Sequence, residues 1–337
     1  MSRPTITRID PAEIDVLREA LPRFRFKPLS YLPYLKRAQV EGYWMDEISE
    51  TAADTSSAVF IARVSGRIAG FAVCAESPWD IRVIGRRIGA LKQLAADAEN
   101  SSGGNVVEAL VEETIRHAAK CGIECLTVNV HPRDSATIHS LERNGFLLMD
   151  TLVYYLFDFS RTPFDQLIAP RQIGGLSTRL GAPADLPKIL EIAERAFKNH
   201  FGRYNADARM PPGAAKDVYR EWARSSFSGW ADWVMIAEVR GRIAGYAVWR
   251  KASALEAKHG LDIIHYNLVA VHPHFAGRGV FAVLSYDGMR MLRMLQQYAN
   301  HVVAPTHVTH SAVHRLCFEF GGHISGSRHS FHKWLTP

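Results

Sequence analysis

Val64 to Val73 reads VSGRIAGFAV, and Val239 to Val248 reads VRGRIAGYAV, with eight of ten positions alike at an offset of 175 residues. Further on, Asn144-Gly145-Phe146 closes one helix-like run and Phe320-Gly321-Gly322 closes another, at an offset of 176. A period this long marks a duplicated domain rather than a solenoid repeat. The chain has 337 residues, about twice the ~150 expected of one domain, so the repeat and the length agree. The boundary falls in the stretch from Ser160 to Pro187, which holds Pro163, Pro170, Gly174, Gly175, Gly181 and Pro183.

Working outward from the second copy, Asp185 to Asn199 carries apolar residues at helical spacing (Leu186, Ile189, Leu190, Ile192, Ala193, Phe197). Val234–Val239 and Ala244–Arg250 read as strands around the tight turn at Arg240-Gly241-Arg242. Leu261–Val271 reads as a longer strand, Val280–Gln297 as a helix and His301–Val308 as a strand. A helix over Ser311–Phe320 and a strand over Ser327–Leu335 complete the half. The pattern predicts an α/β sandwich around a mixed sheet.

Composition excludes several classes. Apolar residues make up 47% and charged residues 22% of the chain, which rules out a disordered chain, a collagen-like fibre or a disulfide-dense mini-protein. The net charge of +6 comes without a run of five like charges, so no nucleic acid partner is expected. Cys74, Cys121, Cys125 and Cys317 form no C-x-x-C pair and read as free thiols of a reducing compartment. Met1 to Pro22 lacks the apolar core of a signal peptide. No run approaches ~20 apolar residues, so no membrane span is expected. The expectation is a soluble, cytoplasmic protein; its oligomeric state is left open.

The segment richest in chemistry is the strand-to-helix junction Val269-Ala270-Val271-His272-Pro273-His274-Phe275-Ala276-Gly277-Arg278-Gly279-Val280-Phe281. Glycines let the backbone approach a ligand closely, and the first N–H groups of a helix carry partial positive charge. Arg278 adds a full charge, so a pyrophosphate suits the turn. A plain strand-to-helix turn fits the same residues.

The surrounding order of strand, V-x-P-x-F, A-G-R-G-V, helix, strand and helix ending in glycine resembles the GNAT N-acetyltransferase superfamily. The phosphate loop of that family has the form Gln/Arg-x-x-Gly-x-Gly/Ala. Here Gly279 matches the middle glycine, while Ala276 and Phe281 replace the outer positions, with Gly277 and Arg278 between. Phe201-Gly202-Arg203-Tyr204, Asp207, Tyr219 and Trp222, together with Pro78-Trp79-Asp80, resemble stretches of the TDP-fucosamine acetyltransferase-like branch. The resemblance implies two tandem GNAT-like domains, 1–160 and 175–337, each a mixed, mostly antiparallel sheet flanked by helices. It implies acetyl-CoA as co-substrate and a primary amine of a small molecule, such as an amino-sugar nucleotide, as acceptor.

Carried over residue by residue, the resemblance gives Val269, Ala270 and Val271 to the pantetheine amides, and Ala276 through Phe281 to the pyrophosphate. His265 falls where some members place a catalytic strand carboxylate, and a histidine titrates in the range a general base needs. His310 and Cys317 stand where the family's Asn and proton-donating Tyr would be; Cys317 is also readable as a buried helical thiol. Arg203, Tyr204, Trp79 and Asp80 would line the acceptor. The histidines at 301, 307, 310, 314, 323, 329 and 332 lack a metal spacing, and no metal is expected. No Ser/Cys–His pair is legible, which points to direct attack without an acyl-enzyme. The equivalent loop of the first half, Ser101 to Val107, has glycines and no basic residue, and Asp134 and Leu141 replace the Asn and Tyr. The first half therefore reads as a degenerate copy. A non-catalytic ligand-binding or regulatory protein on the same scaffold is the alternative.

Overall fold

The computed structural model describes residues 3–97, 103–198, 200–294 and 299–335. Two compact units emerge: one of Met1–Thr151, Lys258–Gly260 and Ser327–Pro337, the other of Leu152–Ala257 and Leu261–Gly326.

The elements of the first half are β1 (Thr5–Ile9), α1 (Arg37–Ala52), β2 (Ala58–Val64), β3 (Arg67–Glu76), α2 (Pro78–Ile84), β4 (Ile88–Ala96), α3 (Gly103–Lys120), β5 (Cys125–Val130), α4 (Ser135–Arg143) and β6 (Leu147–Asp158). Those of the second are β7 (Leu176–Leu180), α5 (Leu186–Ala196), α6 (Arg203–Ala206), α7 (Ala214–Ser225), β8 (Trp233–Val239), β9 (Arg242–Lys251) and α8 (Ala254–Lys258). They continue with β10 (Ile263–Val271), α9 (Val280–Met294), β11 (His301–His307), α10 (Ser311–Glu319) and β12 (His323–Trp334). The predicted helix ends at Asn199 and at 295–297 lie outside the described residues.

The repeated decapeptide builds the same hairpin twice, β2–β3 and β8–β9. Its two-residue turns, Ser65-Gly66 and Arg240-Gly241, have φ of 50° and 79°, and 51° and 72°. Both central residues are left-handed, as the hairpin-compatible type I′ turn requires. The repeat also keeps Gly70 and Gly245 for close packing. A Cβ there would lie 2.8 Å from the Ala95 carbonyl and 2.7 Å from the Ala270 carbonyl, respectively.

In the first unit the strands run in the order β1-β2-β3-β4-β5-β12, antiparallel except for the parallel β4–β5 pair. The second runs β7-β8-β9-β10-β11-β6 with one parallel pair, β10–β11. Each sheet is thus mixed and mostly antiparallel. The boundaries at 160 and 175 follow the chain, but the units differ by an exchange of final strands. The expected last strand of the second half, Ser327–Leu335, pairs through His329–Trp334 with β5 of the first unit, while Leu152–Asp158 of β6 pairs with β11 of the second. Alternating polarity assigns a strand its faces, not its partner.

Each sheet is covered on both faces. In the first unit, Trp44, Met45 and Ile48 of α1 pack on Ile61, Phe71 and Val73, and Val106, Leu110 and Val111 of α3 pack on the other face. Lys258 and His259 hold the Asp46 carboxylate of α1 at 2.8 and 2.7 Å. In the second unit, Ile189, Ile192 and Ala193 of α5 are fully buried against Ile236, Tyr246 and Val248. Burial of each large aliphatic side chain contributes roughly 1.5–3 kcal/mol. The opposite face packs under α9 and α10 through Val280, Leu284, Met289 and Leu316.

Candidate active site

The second unit opens its sheet where the sequence places the chemistry. β10 and β11 are paired only over Ile263–His265 and His301–Val303, although both strands continue. On that side, Tyr266 to Val271 have no strand partner among the described residues, while their other edge remains on β9. Backbone groups along an unpaired edge within a sheet must find another partner. Asn267 forms a bulge between the pairs Tyr266–Trp249 and Leu268–Val248, which changes the face presented by the residues after it. Leu268 and Ala270 consequently belong to the core under α5 and α7, and Val269 and Val271 lie against the core under α9.

β10 leads through a turn at Pro273–Phe275, anchored by buried Phe275, into the exposed segment Ala276–Gly279. Gly277 and Gly279 have φ of 71° and 80°, conformations that glycine adopts without a steric cost. α9 begins at Val280, so its unpaired first-turn N–H groups follow the glycines directly. Arg278 is exposed and makes no hydrogen bond or ion pair among the described residues. The bulky Phe281 packs against the core under α9, and its carbonyl accepts the Ser285 hydroxyl at 2.9 Å. These features suit a pyrophosphate: glycines that let it approach the backbone, free donors and an available cation.

His265 stands at the last paired position before the opening. Its Nε2 lies 3.0 and 3.1 Å from the two carboxylate oxygens of Glu256 on α8. Burial alone would raise the Glu256 carboxyl, but the hydrogen bonds it accepts from His265 and from the Ser253 N–H hold it below the usual carboxylate value. An ionised carboxylate only accepts, so Nε2 carries the proton.

Around the end of β11 the structure gathers residues from three segments. His310 immediately precedes α10, and its ring lies 4.7 Å, centroid to centroid, from His200 and 5.6 Å from His307. Burial, then the neighbouring His307 and His314, depress the His310 pKa. Phe201 stands edge-on to His307 at 4.9 Å, which joins the predicted 201–204 stretch to this group. Next to it, the Arg203 guanidinium lies 4.6 Å over the Tyr204 ring. His314 Nε2 faces the Val308 carbonyl at 3.0 Å and must donate, so its Nδ1 accepts from the Tyr155 hydroxyl at 2.8 Å. Cys317 lies in the core, where burial pushes its thiol up to about 12.

Trp79 and Asp80 lie partly buried in the first turn of α2, in the first unit. There Ser101 and Ser102 lie outside the described residues, and Gly103-Gly104 begin α3. Thr137 N–H and Oγ1 both donate to Asp134. Leu141 is buried in the core. A Cys–His contact is present at the exposed end of α3, Cys121 Sγ to His117 Nε2 at 3.6 Å.

Sequence reasoning missed Glu256, His200 and His307. A signal for His307 lies in the repeat: His131, 176 residues earlier, directly follows β5 as His307 closes β11. Both rings accept a backbone N–H two residues on, from Arg133 at 3.1 Å and Thr309 at 3.2 Å.

Residues 22–146 match the model of the acetyltransferase (GNAT) family. The chain is 25% identical over 224 residues to the spore coat polysaccharide biosynthesis protein SpsD of Bacillus subtilis (strain 168), covering 64% of this chain and 68% of the relative. A tandem GNAT protein from the clavulanic acid biosynthesis pathway shares the fold with a TM-score of 0.59 at 13% identity, over 99% of each chain. A GCN5-related N-acetyltransferase from Sphaerobacter thermophilus does so with a TM-score of 0.64 at 12% identity, over 100% of this chain and 97% of that one. No described helix is long and apolar enough to cross a membrane.

Proposed function

We propose, from the premise that the chain is a GNAT-family N-acyltransferase, that its second unit transfers an acetyl group from acetyl-CoA to a primary amine of a small molecule. The observation that carries this reading is the opened β10–β11 edge leading into the glycine turn with its free Arg278. Acetyl-CoA supplies the activated thioester. Val269, Ala270 and Val271 offer backbone groups to the pantetheine, and Ala276, Gly277, Arg278, Gly279, Val280 and Phe281 hold the pyrophosphate, with His310 bordering the cofactor.

His265 takes the proton of the attacking amine, and Arg203 and Tyr204 hold the acceptor. Cys317 is not given the proton-donor role, because a core thiol raised to about 12 is too weak an acid and too enclosed; solvent protonates the leaving thiolate. The acceptor class we favour is an amino sugar linked to a nucleotide, supported by the relative named for polysaccharide biosynthesis. A non-catalytic, CoA-binding role draws its support from the replaced positions His310 and Cys317. Thiol release from acetyl-CoA, screened against amino-sugar nucleotides, amino acids and polyamines, tests the reading. Turnover with an amino-sugar nucleotide is expected. CoA binding with no turnover on any amine would favour the non-catalytic role, and no CoA binding at all would refute both.

A further inference from the structure

We propose that Glu256 is the positioning residue for His265, fixing the imidazole in the tautomer that leaves Nδ1 free to take the proton of the acceptor amine. The inference rests on the reading of His265 as the base and adds a residue that the sequence pattern did not single out. Glu256 comes from the short helix α8, outside the strand that carries the base, and is 8% exposed. A carboxylate buried this far needs partners, and it has two kinds. Oε2 accepts the Ser253 N–H at 2.7 Å, while the Glu256 N–H reaches back to the Ser253 hydroxyl at 3.2 Å. That reciprocal pair limits rotation of the carboxylate, and both of its oxygens lie within 3.1 Å of His265 Nε2.

Arg250, opposite His265 on β9, does not compete for the carboxylate, because its guanidinium lies 5.0 Å over the Trp230 ring. Nδ1 of His265 has no hydrogen bond among the described residues, and the side chain keeps 18% of its surface. By alternation His265 lies opposite Ile264 and Tyr266, which belong to the core under α9. The free nitrogen is therefore on the sheet face covered by α5 and α7, the helices that flank the 201–204 stretch.

The chemistry balances on these groups. The amine lone pair forms the C–N bond, the C–S bond breaks with its electrons leaving on sulfur, and the amine proton moves to Nδ1. His265 becomes an imidazolium, and Glu256 remains a carboxylate that stabilises it without taking the proton.

Long-range proton–nitrogen correlation spectra of the ¹⁵N-histidine-labelled full chain test the assignment, with the His265 signals identified by their loss in His265→Asn. The wild type is expected to show the Nε2–H tautomer alone, and Glu256→Ala a mixture of tautomers. Turnover of acetyl-CoA with the fastest amine of the panel is expected to fall about tenfold in kcat for Glu256→Gln, with KM for acetyl-CoA within about twofold. The double variant should be no slower than His265→Asn. If Glu256→Ala does not fold, the isosteric Gln variant decides through the kcat–KM split. Unchanged kcat in Glu256→Gln, with His265→Asn slow, would overturn the role of Glu256 alone. Full-speed turnover by His265→Asn would overturn the base assignment and this proposal together.

Discussion

Ala90, Asp134 and Leu141 of the first unit occupy the places that His265, His310 and Cys317 hold in the second, at offsets of 175, 176 and 176. Around them the two units agree closely. Ala90 pairs with Ala75 and Thr127, and His265 pairs with Arg250 and Val303, the equivalent neighbours in each sheet. Parallel pairing ends at Leu91–Val128 in one and at His265–Val303 in the other. Lys92 bulges from β4 as Asn267 bulges from β10. The opening of the sheet is therefore a property of the scaffold, present with or without a titratable group at the strand. The family match over residues 22–146 falls on the unit that has alanine where the other has histidine. Likeness of fold and possession of a base are separate facts in this chain.

The exchange of final strands provides the most severe test of that comparison. Phe331 of β12 is 1% exposed in the core of the first unit. Phe331→Ala should cost about 3–5 kcal/mol, and chemical denaturation followed by a probe in each unit should show the first unit unfolding earlier. Removal of β12 altogether should abolish cooperative folding of the first unit; a first unit that remained fully stable would show that the strand is dispensable.

The difference between Ala90 and His265 comes next. His265→Ala should lower kcat by about 10²-fold or more, while Ala90→His should leave turnover unchanged, as measured by thiol release. Smaller again is the contribution of Arg278. Its replacement by alanine should weaken CoA binding by about 1.5–3 kcal/mol and leave the melting temperature within a degree or two. Titration calorimetry should give one CoA per chain. A stoichiometry of two would place a working cofactor site in both units.

The smallest effect concerns pH. Burial depresses His117, His131 and His329 in the first unit and His272 and His310 in the second. A histidine held below its ordinary value of 6.5 in the fold takes up its proton more readily in the unfolded chain. Acidification below about 6.5 thus favours unfolding, and the effect is absent above it. Melting temperature should fall as pH drops from 7 toward 5, and His310→Gln should reduce the slope.

The hairpin and the glycine turn were legible because local chemistry specifies them. A type I′ turn needs glycine at its second central residue, and Gly66 and Gly241 supply it. The exchange of β6 and β12 was not legible, since each strand has the alternation to close either sheet and only the tertiary fold assigns its partner. Glu256 escaped notice for a related reason. It lies in a five-residue helix with no pattern of its own, and its link to His265 exists only once β10 and α8 are folded together. The burial of Cys317 was open in the sequence, and the core under α9 and α10 closed the question.

The exchanged strands also bear on how the chain is made. On the ribosome, β5 emerges long before β12, so the unit synthesised first is the last to complete its sheet. During that interval the free edge of β5 is a template for any passing strand, and β6, which follows directly after α4, is the nearest. If β6 pairs with β5 in that interval, the pairing has to be released before β12 can take the same edge.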